Sequence, residues 1–162
     1  WHQLSTKSNP DKNMALILST YPGKDYQLAH AVGLDALASA DNILTSLSET
    51  GYTVDNPSDL APRLMSETQS FPLKDYLTGL SRLPQSLQDD LSQAWGDPQS
   101  DPDFAERAFH FRALQSGKSL IALQPERGDV ASRVDDYHDV ERTPRHAYVA
   151  FYLWLQTQVD AT

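Results

Sequence analysis

The densest set of side chains capable of chemistry lies near the C-terminus. Asp135, Asp136, Tyr137, His138 and Asp139 run together, with Glu141 close behind and His146 five residues further on. Imidazole and carboxylate together suit borderline divalent metals such as Co²⁺ or Zn²⁺. Histidine also exchanges protons near neutral pH. The spacing matches no compact zinc motif, so on spacing alone a solvated acidic loop is the competing reading. A second group, Gln124-Pro125-Glu126-Arg127-Gly128, follows an apolar run. Arg127 there can fork onto a carboxylate, or it can make an ordinary surface ion pair beside a turn. A third, Pro22-Gly23-Lys24-Asp25, follows another apolar run. A Gly-Lys pair can cradle phosphate, but the earlier glycine and the Ser or Thr after the lysine that complete a P-loop are missing. An ATP site within this chain is therefore not expected. His2 and His110 carry no such pattern, and nothing resembles the nucleophile elbow of a hydrolase.

These groups need elements to hold them. Met14-Ala15-Leu16-Ile17-Leu18-Ser19-Thr20 is continuous and apolar, the pattern of a strand covered on both faces of a parallel sheet. Leu37, Ala40, Ile43, Leu44 and Leu47 recur at helical spacing, which predicts a helix from Ala36 to Thr50. Asp35 suits its N-cap and Gly51 its C-terminal stop. Tyr52-Thr53-Val54 is positioned to begin a second strand, completing a βαβ-like unit. Further helices are expected from Ser58 to Met65, Leu73 to Leu80 and Pro84 to Trp95. Gly96 to Pro102 is a strong turn signal. Phe109 to Leu114 and Ser119 to Leu123 then read as a hairpin about Ser116-Gly117-Lys118. The polar stretch from Gln124 to Arg145 is long for a structureless loop, and such loops are more often functional. Pro144 suits the first turn of a last helix carrying Ala147, Ala150, Phe151, Trp154 and Leu155.

The expected fold is thus α/β: a Rossmann- or flavodoxin-like parallel sheet flanked by helices, with an added hairpin and a long loop. Residues 1–155 form one segment, with subregions 1–95 and 103–162 on either side of the turn, and 156–162 a tail. The 162 residues suit one domain. Hydrophobic residues at 40% and charged residues at 22% permit a folded core. A formal charge of −9 disfavours nucleic acid and anionic lipid as partners. The absence of cysteine excludes disulfides, thiolate metal sites and cysteine nucleophiles. No apolar run approaches the ~20 residues that span a bilayer. A start at Trp1 without Met predicts a piece of a longer protein.

Three segments carry a resemblance. The first is Ala15 to Asp35, with Ala38-Ser39 and Gly51-Tyr52. The second is the Leu83-Pro84 helix ending Ala94-Trp95-Gly96-Asp97-Pro98. The third is Leu120 to Gly128, then Tyr137-His138-Asp139, then Pro144-Arg145-His146-Ala147-Tyr148 through Leu155. In this order they resemble the large subunit of aerobic cobaltochelatase, in the family that includes the magnesium-chelatase large subunit. Thr20, Lys24, Leu37 and Asp129-Val130 depart from the family pattern and bring a divergent member into play. The resemblance implies ATP-dependent insertion of Co²⁺ into hydrogenobyrinic acid a,c-diamide, a ligase-type step of cobalamin synthesis in the cytoplasm. ATP would be hydrolysed by AAA+ partner subunits. The rest of the same large subunit would complete the cleft, so the isolated segment would be inactive. By residue type, the implied catalytic groups are His138, Asp139 and His146, with His138 and His146 as transient metal ligands. The implied tetrapyrrole-binding groups are Lys24, Asp25, Gln124, Arg127 and Tyr137. A magnesium-chelatase-like subunit, or a purely architectural domain, is the alternative.

Overall fold

The computed structural model describes residues 5–19, 30–31, 34–55, 59–129 and 142–159. Its centre is the hairpin expected from the sequence. Strand β6 (Ala108–Ser116) turns at Gly117, φ +59°, into β7 (Ser119–Leu123). A Cβ at Gly117 would lie 2.6 Å from the carbonyl oxygen of Thr53, so the turn requires glycine for space as well as for φ. The strand β1 (Met14–Leu18) lies parallel to β7, with Met14 opposite Ser119 and Leu18 opposite Leu123. The long β6 pairs antiparallel with β7 through Ala113–Ser116, and with β4 (Thr68–Pro72) through Ala108–Arg112. A two-residue β5 (Phe104–Ala105) also pairs β6, while β2 (His30–Ala31) and β3 (Leu34–Asp35) form a separate two-stranded ladder.

The α/β expectation holds, as a mixed five-stranded sheet in the order β1-β7-β6-β4 with β5 against β6. Among the described residues the parallel character is confined to β1 and β7, and the other ladders are antiparallel. The reason lies in the connections: β6 and β7 are joined by a tight turn, which permits only an antiparallel pair.

Both faces of β7 are covered, and all five of its residues are buried. Its side chains alternate. Ile121 and Leu123 join Leu18 and Leu114 under helix α1 (Ala36–Glu49) and helix α2 (Leu60–Ser66), through Ala40, Leu44, Leu60 and Leu64. Leu120 and Ala122 face the other way, into a core with Phe71, Phe109 and Phe111. That core is closed by α3 (Leu73–Leu80), α4 (Gln85–Trp95) and α5 (His146–Gln158), through Tyr76, Leu91, Phe151 and Trp154. β1 is the edge of the sheet and only Leu18 of it is buried, so full cover on both faces belongs to β7 alone.

Helix boundaries follow local chemistry. Asp35 caps α1 by accepting from the Ala38 amide at 3.0 Å, and Gly51 sits beyond its end at φ +88°. Tyr52-Thr53-Val54 is not a strand. It lies beside the β6–β7 turn, where the Thr53 carbonyl accepts from the Lys118 amide at 2.8 Å. The turn at Gly96 to Pro102 is present, but β4 before it pairs with β6 after it. Helix α5 begins at His146, leaving Pro144 just outside, and continues to Gln158.

Candidate functional site

The carboxyl ends of β1 and β7 lie side by side, tied by the Gln124 amide donating to the Leu18 carbonyl at 2.9 Å. In open α/β sheets, ligands bind outside the carboxyl ends of adjacent strands. The two segments that carry the sequence-derived candidates leave the sheet at this edge. Lys24 and Asp25 follow β1; Tyr137, His138 and Asp139 follow β7. All five lie outside the described residues.

What is described is the stem on which the second segment stands. The Arg145 amide donates to the Arg127 carbonyl at 2.8 Å, and Arg145 Nε donates to the Glu126 carbonyl at 2.8 Å. Arg127 Nη2 returns a hydrogen bond to the Arg142 carbonyl at 2.9 Å. Trp95 Nε1 donates to the Thr143 carbonyl at 3.0 Å, and the Arg142 guanidinium lies 5.7 Å from the Trp95 ring centroid. Residues 124–129 and 142–145 are therefore stapled together, and both ends of the stretch between them are fixed.

The staple is anchored by a buried ion cluster. Arg145 Nη1 donates to Asp101 Oδ1 at 2.6 Å, and Nη2 to Asp103 Oδ2. Asp101 Oδ2 accepts from the Ala147 amide at 3.0 Å. Arg145 makes no side-chain cap of its own, so Asp101, supplied from the Gly96–Pro102 turn region, serves as the cap of α5. A carboxylate at a helix N-terminus also meets the positive end of the helix dipole. Asp101, Arg145 and His146 are all buried.

His146 is placed differently from what its residue type suggests. The ring is 3% exposed. Its Nε2 lies 3.0 Å from the Gly96 carbonyl, which can only accept, so Nε2 carries the proton. Nδ1 then accepts from the Tyr76 hydroxyl at 2.6 Å. Burial, with the Asp101 charge nearby, pushes the Tyr76 hydroxyl above the ordinary phenol range, so it remains a donor. Both imidazole nitrogens are engaged, and in this arrangement neither is left for a metal. Among the described residues no three His, Asp or Glu side chains are grouped to hold an ion.

Gln124 and Arg127, in contrast, are half-buried at the sheet edge. The Gln124 side-chain amide donates to two phenols on α5, Tyr148 at 3.1 Å and Tyr152 at 2.5 Å. Burial first, and a hydrogen bond with Tyr152 second, push the Tyr148 hydroxyl up to about 12. Asp101, Tyr76, Arg145 and the two tyrosines are given no role by the sequence, although Arg145 and Tyr148 stand in the motif that carries the resemblance. Asp101 reads there as one more turn residue, and only pairing with a residue 44 positions away reveals its role. A groove of 880 Å³ lined by Lys74, Leu77 and Arg107 shares no residue with this cluster. Among the described residues, no helix is long and apolar enough to cross a membrane.

Comparison with known proteins places this geometry. The family model described as CobN/Magnesium Chelatase matches residues 1–162. The chain is 35% identical to the aerobic cobaltochelatase subunit CobN of Pseudomonas aeruginosa, over 96% of this chain and 14% of that protein. It is 25% identical to a magnesium-chelatase subunit of Chlorobaculum parvum, over 99% of this chain and 14% of that one. A solved structure, the catalytic subunit of cobaltochelatase from Mycobacterium tuberculosis, superposes with a TM-score of 0.71 at 28% identity. That match covers 98% of this chain and 14% of the other. The chain thus spans about one seventh of the length of these relatives.

Proposed function

The chain belongs to the CobN/magnesium chelatase family, and on that premise we propose that it forms part of the tetrapyrrole-binding cleft of a cobalt-inserting large subunit. Identity of 35% to a cobaltochelatase subunit, against 25% to a magnesium-chelatase subunit, supports cobalt as the metal. One observation carries the reading. The segments bearing Lys24, Asp25, Tyr137, His138 and Asp139 leave from the adjacent carboxyl ends of the parallel pair β1 and β7, and the second stands on a stem anchored by the buried Arg145–Asp101 pair.

Metal insertion asks for few groups. The incoming Co²⁺ must shed water, the macrocycle must distort, and two pyrrole protons must leave. His138 and Asp139 can ligate the metal in passing and accept a proton. Arg127, Gln124 and Tyr137 can orient the macrocycle through its peripheral groups, with Lys24 and Asp25 acting from the β1 side. His146 takes a different role from the one its type suggested: it positions the stem through Tyr76 and Gly96. The substrate proposed is hydrogenobyrinic acid a,c-diamide, in cytoplasmic cobalamin synthesis. The energy source proposed is ATP hydrolysis by AAA+ partner subunits, because neither Gly-Lys pair completes a P-loop: Gly23-Lys24 is followed by Asp25, and Gly117-Lys118-Ser119 has Arg112 where the first glycine belongs.

The test is insertion by the full-length subunit, with and without its ATPase partners, offered Co²⁺ or Mg²⁺. The reading expects ATP-dependent Co²⁺ insertion only when the partners are present, and no nucleotide binding by the large subunit alone in calorimetry. Insertion of Mg²⁺ in preference, or ATP binding by the large subunit, would refute it.

A further inference from the structure

Helix α5 presents two tyrosines one turn apart, Tyr148 and Tyr152, with ring centroids 5.1 Å apart. Their hydroxyls meet at one point, the side-chain amide of Gln124, which donates to both. Gln124 is the residue directly after β7, and its backbone amide is bonded to the end of β1. The two phenol oxygens are therefore pinned at the sheet edge described above. Tyr148 is half-buried, whereas Tyr152 is 38% exposed on a helix whose other large side chains are mostly buried.

The hydrogen-bond arithmetic gives the pair a direction. Each phenol has one proton to donate and lone pairs to accept. Gln124 fills an acceptor position on both. The Tyr152 oxygen accepts from Gln124 on its inner side, and its own proton can turn to the exposed side of the helix. Donors in such a chain polarise one another, which makes the terminal O–H a stronger donor than an isolated phenol. Arg127 stands three residues after Gln124 on the same stem and adds positive charge to this edge, which suits an anionic acceptor.

We propose that Tyr152 is a tetrapyrrole-binding residue that donates its phenolic proton to a peripheral carboxylate of the macrocycle, with Gln124 and Tyr148 fixing its orientation. This rests on the reading of the chain as part of a chelatase cleft. It adds a residue, Tyr152, to which the sequence reading gave no role.

The experiment uses the full-length subunit with its ATPase partners and hydrogenobyrinic acid a,c-diamide as probe. Tyr152→Phe should raise KM for the macrocycle roughly 10- to 100-fold, as expected for one lost hydrogen bond to a charged group, with kcat unchanged. Tyr148→Phe should raise it less. Direct binding of the metal-free macrocycle, followed by its absorbance, should weaken by the same factor. With the peripheral carboxylates converted to methyl esters, wild type and Tyr152→Phe should bind alike. An unchanged KM in Tyr152→Phe overturns the proposal, as does an equal penalty with the esterified macrocycle, which would mean an uncharged acceptor. His138→Ala in the same assay separates the two levels. If it abolishes insertion while Tyr152→Phe changes nothing, this inference fails alone. If both variants behave as wild type, the placement of the cleft fails as well.

Discussion

The N-terminal turn of α5 and the tyrosine pair just beyond it use similar polar chemistry to opposite ends. At the start of the helix, Arg145 and His146 are buried, and every hydrogen bond they make closes onto the protein itself. Two and six residues after His146, Tyr148 and Tyr152 are tied to Gln124 at the sheet edge, and Tyr152 stays open. The difference teaches how to read polar residues in a family motif. The same short run of sequence holds groups that build a stem and groups that can meet a ligand. Burial and hydrogen-bond closure separate them where residue type does not.

The largest expected effect breaks the buried side. Asp101→Ala leaves the Arg145 guanidinium buried without its main partner and uncaps α5. Loss of one partner of a buried pair costs about 3–5 kcal/mol. In the full-length subunit this should appear as amide exchange over α5 and β7 accelerating by roughly two orders of magnitude or more. Exchange unchanged from wild type would mean the cluster does not hold the stem. A smaller loss is expected for Tyr76→Phe, which leaves buried His146 Nδ1 without a donor, at about 1–3 kcal/mol. Local exchange at the α3–α5 contact is the measurement.

A third prediction concerns pH. The Tyr148 hydroxyl is raised from 10.0 to about 12, chiefly by burial. Its contribution to stability is therefore fully present below pH 10 and is lost as pH rises toward 12, because the folded state resists ionising it. Ultraviolet titration of phenolate should show one tyrosine ionising near 12 that is missing in Tyr148→Phe. A midpoint near 10 would mean that the pair is solvated. The smallest effect lies on the open side. Tyr152→Phe should change stability by no more than about 0.5 kcal/mol, the range of ordinary surface substitutions, in contrast to Asp101→Ala.

Much of the fold was legible because its signals are local. The apolar runs of β1 and β7, the Ser116-Gly117-Lys118 turn, the Asp35 cap and the Leu73–Leu80 helix each follow from neighbouring residues. β4 was not legible: Thr68-Gln69-Ser70-Phe71-Pro72 is short, polar and ends in proline, and it is a strand because β6 extends past β7 to pair with it. Tyr52 to Val54 shows the converse, since its β-branched residues suit a strand but it meets the hairpin turn through the Thr53 carbonyl rather than through a ladder. At the site, sequence identified Gln124 and Arg127 at the end of β7, where they lie. It grouped His146 with His138 by residue type, and nothing local distinguishes a histidine aimed at a ligand from one aimed at Tyr76 and Gly96. Those partners lie 70 and 50 residues away.

The most direct test of this division compares the two histidines in one experiment. Co²⁺ insertion is measured for His138→Ala and His146→Ala in the full-length subunit with its ATPase partners, alongside amide exchange over α5. The account predicts that His138→Ala abolishes insertion with α5 exchange unchanged, whereas His146→Ala accelerates α5 exchange and loses activity only as the stem loosens. Wild-type insertion by His138→Ala, or loss of insertion by His146→Ala with α5 exchange unaltered, would contradict it.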